Sequence, residues 1–157
     1  MLGRHSYRVG IEWTGNRGSG TSGYRDYGRQ LVVRADGKHD IAASADRTFH
    51  GDADRWNPEE MLLTALAQCH MLSYLHAAVR GGVLVTAYTD EPTGTLQEDG
   101  KGGGAFTEVV LRPVVTIADA SMTDAAEAAH ELAHRLCFIA NSVNFPVRVE
   151  PSVCAAS

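Results

Sequence analysis

Asn57-Pro58-Glu59-Glu60-Met61-Leu62-Leu63-Thr64-Ala65-Leu66-Ala67-Gln68-Cys69-His70-Met71-Leu72 is the stretch on which the fold turns. Asn57 is a strong N-cap residue, Pro58 stands at N1 where its missing N–H costs nothing, and a glutamate at N3 completes a capping-box pattern. Gly81-Gly82 supplies the stop, so the pattern predicts one long helix between these signals. Met61, Leu62, Leu63, Leu66, Met71, Leu72, Leu75 and Val79 point in nearly every direction around it. A helix apolar on so many sides is expected to be central and mostly buried.

On the N-terminal side, Tyr7-Arg8-Val9-Gly10-Ile11-Glu12-Trp13 alternates with the period of a strand, and the turn-rich residues 14–23 end it. Residues 30–34 and 39–44 flank Ala35-Asp36-Gly37-Lys38, where Asp-Gly between two strand-like runs signals a hairpin. On the C-terminal side, residues 83–88 and 106–111 are β-rich, the second run continuing past Pro113 to Ile117, with glycine-rich residues 100–104 turning between them. Ser121 or Thr123 is expected to cap a second helix ending at Cys137, and Phe145-Pro146-Val147-Arg148-Val149 reads as the last strand. The order βββ-α-βββ-α-β predicts an α+β fold with antiparallel sheets packed around two helices.

The 157 residues, 44% hydrophobic, suffice for one compact domain spanning 1–157. A formal charge of −5 without a Lys/Arg run argues against a nucleic-acid partner, which needs a basic stripe. Arg4 precedes any apolar segment at the N-terminus, so no secretion signal is read there. The richest apolar stretch, residues 61–79, is interrupted by Gln68, His70, Ser73 and His76, which argues against a membrane span. A cytoplasmic protein is expected. In that reducing setting Cys69, Cys137 and Cys154 are candidates for chemistry or for plain burial rather than a structural disulfide framework.

Burial in an apolar helix normally keeps a thiol protonated, whereas the thiolate is the nucleophile, so Cys69 needs help to react. Glu59 lies ten residues before it, about 80° around the helix and roughly 15 Å along it, too far to touch the sulfur. It can hold an arginine whose long side chain reaches toward the thiol. Arg25, in Gly23-Tyr24-Arg25-Asp26-Tyr27, is the leading candidate and Arg29 the second. A solvated turn arginine and a glutamate that merely favours the helix dipole are the bland alternatives. Cys137, at the negative end of the second helix, suits a resolving thiol better than an attacking one, or else packs in the core on the face of Ala126, His130 and Ala133. Cys154, beyond the last expected strand, looks incidental. His70 beside Cys69, with His130 and His134 at i, i+4 before Cys137, could form a mixed Cys/His metal site, but there is no Cys-x-x-Cys or His-Glu-x-x-His and His70 points about 100° away from Cys69 on a helix, so no metal or other cofactor is expected. His39 and His50 read as exposed, and His76 as a helix-packing histidine.

Residues 57–63 running on to Ala67-Gln68-Cys69-His70-Met71-Leu72, together with Cys137-Phe138-Ile139-Ala140-Asn141-Ser142-Val143, resemble the OsmC-like family, which includes the organic hydroperoxide resistance proteins. The resemblance runs from Trp13 to Val149. It implies an intertwined α+β homodimer with central helices packed across the two-fold and a thiol site near the interface. It also implies Cys69 as the peroxidatic cysteine, Cys137 as the resolving cysteine, and Glu59 as the acid that orients a catalytic arginine, placed at Arg25. The implied activity is thiol-dependent reduction of organic hydroperoxides through a Cys69 sulfenic acid and a Cys69–Cys137 disulfide. A small-molecule peroxide and a dithiol reductant, a lipoylated protein or a small thiol, would be the partners. Phe138-Ile139 stands where the hydroperoxide resistance branch usually has Pro-Tyr, which marks a different branch. The competing class is a non-catalytic binding or stress protein on the same fold, with structural cysteines.

Overall fold

The computed structural model describes residues 3–156. The chain divides into two compact units, one up to Met61 and one from Leu62 onward, with the boundary in the first turn of the long helix.

In the first unit, β1 (Gly10–Trp13), β2 (Leu31–Arg34) and β3 (Ile41–Ala43) form an antiparallel sheet in that order. The β2–β3 hairpin turns where Asp36-Gly37 predicts, with Gly37 at φ 72° and Lys38 N–H donating to Ala35 O at 3.1 Å. Residues 7–9 fall outside β1, so the first strand is shorter than its alternation suggests. The long β1–β2 loop is pinned at its base. Gly28 N–H donates to Gly15 O at 2.7 Å and Trp13 Nε1–H donates to Gly28 O at 2.8 Å. A Cβ on Gly15 would lie 2.0 Å from Gly28 O, so this approach requires glycine.

The long helix α1 (Pro58–Arg80) begins as its cap predicts: Glu60 N–H donates to Asn57 Oδ1 at 2.8 Å, and Asn57 N–H to Glu60 Oε2 at 3.3 Å. Its burial is narrower than the sequence suggests. Leu66, His70, Tyr74, Ala77 and Ala78 form the buried stripe, while Leu72 (55%) and Val79 (77%) stay exposed in the single chain and His76 is exposed rather than packed. By length and composition α1 is also apolar enough to cross a membrane, despite its polar interruptions. Its buried stripe nevertheless packs on the other elements of the second unit, as a core helix does.

The second unit holds β4 (Val85–Asp90), β5 (Thr93–Glu98), β6 (Gly104–Leu111), β7 (Pro113–Ile117), helix α2 (Thr123–Leu136), β8 (Val147–Val149) and β9 (Ser152–Ala155). They form two three-stranded sheets, ordered β4-β7-β9 and β5-β6-β8. Both are mixed: β4–β7 and β5–β6 pair antiparallel, whereas β6–β8 and β7–β9 pair parallel. The parallel pairs arise because β8 and β9 return after α2, a crossover that antiparallel hairpins do not need. Cys154 lies within β9, beyond the strand expected to be last. The second helix is capped one turn early: Asp119 accepts from Ser121 N–H at 2.8 Å and starts a 3-10 turn, Ala120–Met122, that leads into α2. Tyr74, Ala77 and Ala78 of α1 pack with Ala126, Ala129 and Ala133 of α2 against Val115 and Ile117 of β7. Earlier on α1, Leu66 packs with Val109 and Leu111 of β6. Cys69 and His70 follow Leu66 on α1, between these two cores.

Candidate active site

Cys69 is half-buried on α1, and Cys137, one residue past the end of α2, is buried; both are free thiols. The Cys69 side chain lies close enough to Cys137 to raise its thiol pKa. Burial pushes the Cys137 thiol up to about 11; the Ala140 N–H, 3.4 Å from Cys137 Sγ, opposes this, and the adjacent Cys69 adds to it. The turn Ala140–Ser142, just after Cys137, carries that N–H. Two neighbouring thiols of this kind are candidates for one disulfide. Cys154 is apart from it, its Sγ 3.6 Å from Val115 O and from Thr116 Oγ1.

Directly after Cys69 on the buried stripe, His70 meets His130 of α2, with Nε2 and Nδ1 3.1 Å apart. The rings stack with an interplanar angle of 6°, and Tyr74 stacks on His130 with ring centroids 4.0 Å apart. Tyr74 O–H donates to Ala126 O at 3.1 Å, a second tie between the helices. Burial lowers the pKa of both histidines to about 4; His134 adds to the effect on His70, and His70 to that on His130. The pair is therefore neutral at pH 7. His70 Nδ1 and His130 Nε2 are buried without partners. In either arrangement of the shared proton, one of these two nitrogens carries a buried, unpaired N–H. Sequence reading places His130 on the core face of α2 but does not join it to His70. The only signal was that each sits on its own helix's apolar stripe.

Among the described residues, no group of three or more His, Cys, Asp or Glu side chains is arranged to hold a metal ion.

The expected Arg25–Glu59 ion pair is not made in this chain. Glu59 Oε2 is buried and has no hydrogen-bond partner, and Arg25 is exposed in the β1–β2 loop. Arg29 is occupied instead by its own loop. It donates from Nη1 to Tyr27 O and from Nη2 to Tyr24 O, both at 2.7 Å, and its guanidinium lies 4.1 Å and 4.7 Å from the Tyr27 and Tyr24 ring centres.

A family pattern described as OsmC-like protein matches residues 51–152, and the chain belongs to this family. An OsmC-like protein of unknown function from Vibrio cholerae has the same fold, with a TM-score of 0.83 and 34% identity, covering 94% of this chain and 99% of that one. The Bacillus subtilis protein YmaD, described as uncharacterised, is 29% identical over 139 residues, 88% of this chain and 81% of YmaD. An organic hydroperoxide resistance protein from Elizabethkingia anophelis shares the fold at a TM-score of 0.67 and 19% identity, covering 98% and 99% of the two chains.

Proposed function

We propose that this protein is a thiol peroxidase that reduces organic hydroperoxides, with Cys69 as the attacking and Cys137 as the resolving cysteine. The observation that supports this reading best is the closeness of the two thiols, Cys69 raising the pKa of Cys137, with Cys69 half-buried and Cys137 buried and held protonated. A protonated thiol is the poorer nucleophile, which leaves the first attack to Cys69. The Cys69 thiolate attacks the outer oxygen of the hydroperoxide and breaks the O–O bond. The alkoxide leaves as the alcohol after taking up a proton, and the sulfur is oxidised to a sulfenic acid. Cys137 sulfur then displaces hydroxide from that sulfenic acid, releasing water and forming the disulfide. An external dithiol, a lipoylated protein or a small thiol, returns both cysteines to thiols. Arg25 is the proposed cation for the thiolate and for charge developing on the peroxide oxygen, with Glu59 holding it. The unpartnered Glu59 Oε2 is an acceptor in need of such a donor.

A homodimer packed across α1 fits the exposure of Leu72 and Val79 on that helix. A cycling thiol pair belongs in a reducing cytoplasm. Peptide mapping after one equivalent of organic hydroperoxide tests the chemistry. A 69–137 disulfide is expected, and oxidation confined to Cys154 would refute the pairing.

A further inference from the structure

We infer that the β1–β2 loop holds a binding site for a small molecule carrying a doubly charged oxyanion, a phosphate monoester by class. This goes beyond the thiol chemistry and uses neither thiol, although it shares Arg25 with the proposed mechanism. Arg17, Arg25, Tyr27, Arg29 and His50 line a cavity of about 320 Å³ in the first unit, at the small end of the usual range for small-molecule sites. Its lining holds three guanidinium groups and no carboxylate. Three arginines elsewhere are neutralised by carboxylates: Arg34 pairs with Glu12 and Asp40, Arg112 with Glu150, and Arg148 with Glu108 and Glu150. Among the described residues, Arg17, Arg25 and Arg29 have no such pair. Like charges gathered around one small cavity repel, and a multiply charged anion relieves that repulsion better than a single carboxylate does.

The cavity is built rather than fortuitous. Arg29 is clamped by two carbonyls and two aromatic rings, which use two of its five N–H donors and leave the others for a ligand. Arg17 Nη1 donates to Arg25 O at 3.3 Å, tying two of the arginine positions together. Asn16 Oδ1 accepts from Gly18 N–H at 2.9 Å and Gly20 N–H at 3.0 Å, and the Gly15–Gly28 contact closes the loop base. His50 enters the lining from a left-handed backbone position, φ 64°, and its ring meets Tyr24 edge-on with centroids 5.3 Å apart. That conformation caps the 3-10 turn Arg47–Phe49, with His50 N–H donating to Arg47 O at 3.1 Å, and so fixes where the ring stands. Guanidinium forks bind phosphate oxygens in pairs, and Tyr27 and His50 give an organic substituent an aromatic wall. The cavity is too small for a nucleic-acid strand.

Calorimetric titration of the full-length protein with phenyl phosphate, inorganic phosphate and phenylacetate tests the site. Both phosphates should bind at one site per chain, phenyl phosphate more tightly, and phenylacetate should bind at least about tenfold more weakly than phenyl phosphate. Arg17→Ala and Arg29→Gln should each weaken phenyl phosphate about tenfold or more with thermal melting preserved, whereas Arg112→Ala should not. Should a variant fail to fold, chemical shift mapping on the wild-type protein replaces it, with phosphate-induced changes expected at Arg17, Tyr27, Arg29 and His50. Equal binding of phenylacetate, no binding of either phosphate up to roughly 10 mM, an equal loss in Arg112→Ala, or shift changes lying elsewhere would each overturn the proposal. Peroxide reduction is not the readout, so the result stands apart from the thiol mechanism.

Discussion

His70 Nε2 and His130 Nδ1 meet at 3.1 Å where the two residues are 0% and 4% exposed, and this bond ties α1 to α2 one residue after Cys69 and two helical turns before Cys137. Both histidines have pKa values near 4, below the ordinary value near 6.5 of an unfolded chain. Between those values the unfolded chain binds more protons than the folded one, so stability falls as the pH drops through this window. Because the pair shares a bond and titrates together, the total loss from pH 7 to pH 4.5 is on the order of a few kcal/mol. Urea midpoints across this range should show it. In His130→Phe, which keeps a ring against Tyr74 but removes one titrating group, the loss should be roughly halved. An unchanged pH slope in this variant would mean that His130 does not supply it.

The loop carrying Arg17, Arg25 and Arg29 depends on Gly15, because a Cβ there would lie 2.0 Å from Gly28 O. Gly15→Ala should cost roughly 3 kcal/mol, large for a single substitution, and open the loop to trypsin at its arginines. Urea midpoints and the rate of tryptic cleavage measure the two effects.

The beginning of α1 was legible because its signals are local: Asn57, Pro58 and Glu60 act within one turn, and the structure shows their reciprocal hydrogen bonds. The hairpin at Gly37 is local in the same sense. Strand β5 was missed because every residue of Thr93–Glu98 is exposed, so no buried face imposes an alternation. Strand β9 was missed because its place is set by parallel pairing with β7 across the intervening α2, a relationship without a turn to announce it. At the site, the placement of Cys137 at the end of α2 could be read from the helix pattern. Its closeness to Cys69 and the meeting of His70 with His130 depend on how two helices pack, which spacing along the chain does not encode.

Cys137 should alkylate slowly at neutral pH, since burial first and Cys69 beside it raise its thiol to about 11. In a Cys154→Ser background, the pH dependence of iodoacetamide labelling, followed by peptide mapping, should show Cys137 still gaining reactivity above pH 10, later than an ordinary thiol near 8.5. Saturation of Cys137 labelling below pH 9 would contradict the burial argument.

On the proposed mechanism, Arg25 and Glu59 act as one unit. Arg25→Ala and Glu59→Ala should each slow the first oxidation step strongly, on the order of tenfold or more, and the double variant should be little worse than either. Arg29→Ala should do much less, because that guanidinium is held by Tyr24 and Tyr27. A rate lost in Arg29→Ala and kept in Arg25→Ala would transfer the role to Arg29. Additive effects in the double variant would mean that the two residues act separately.

The division of labour between the thiols is tested most directly by stopped-flow oxidation of Cys69→Ser and Cys137→Ser proteins with cumene hydroperoxide. Cys137→Ser should consume about one equivalent at close to the wild-type rate and stop as a sulfenic acid trapped by dimedone at Cys69. Cys69→Ser should consume no peroxide on that timescale, because its remaining partner in the pair, Cys137, is buried and held protonated. Oxidation of Cys69→Ser at the wild-type rate, or an equal loss of the first step in both variants, would contradict the account.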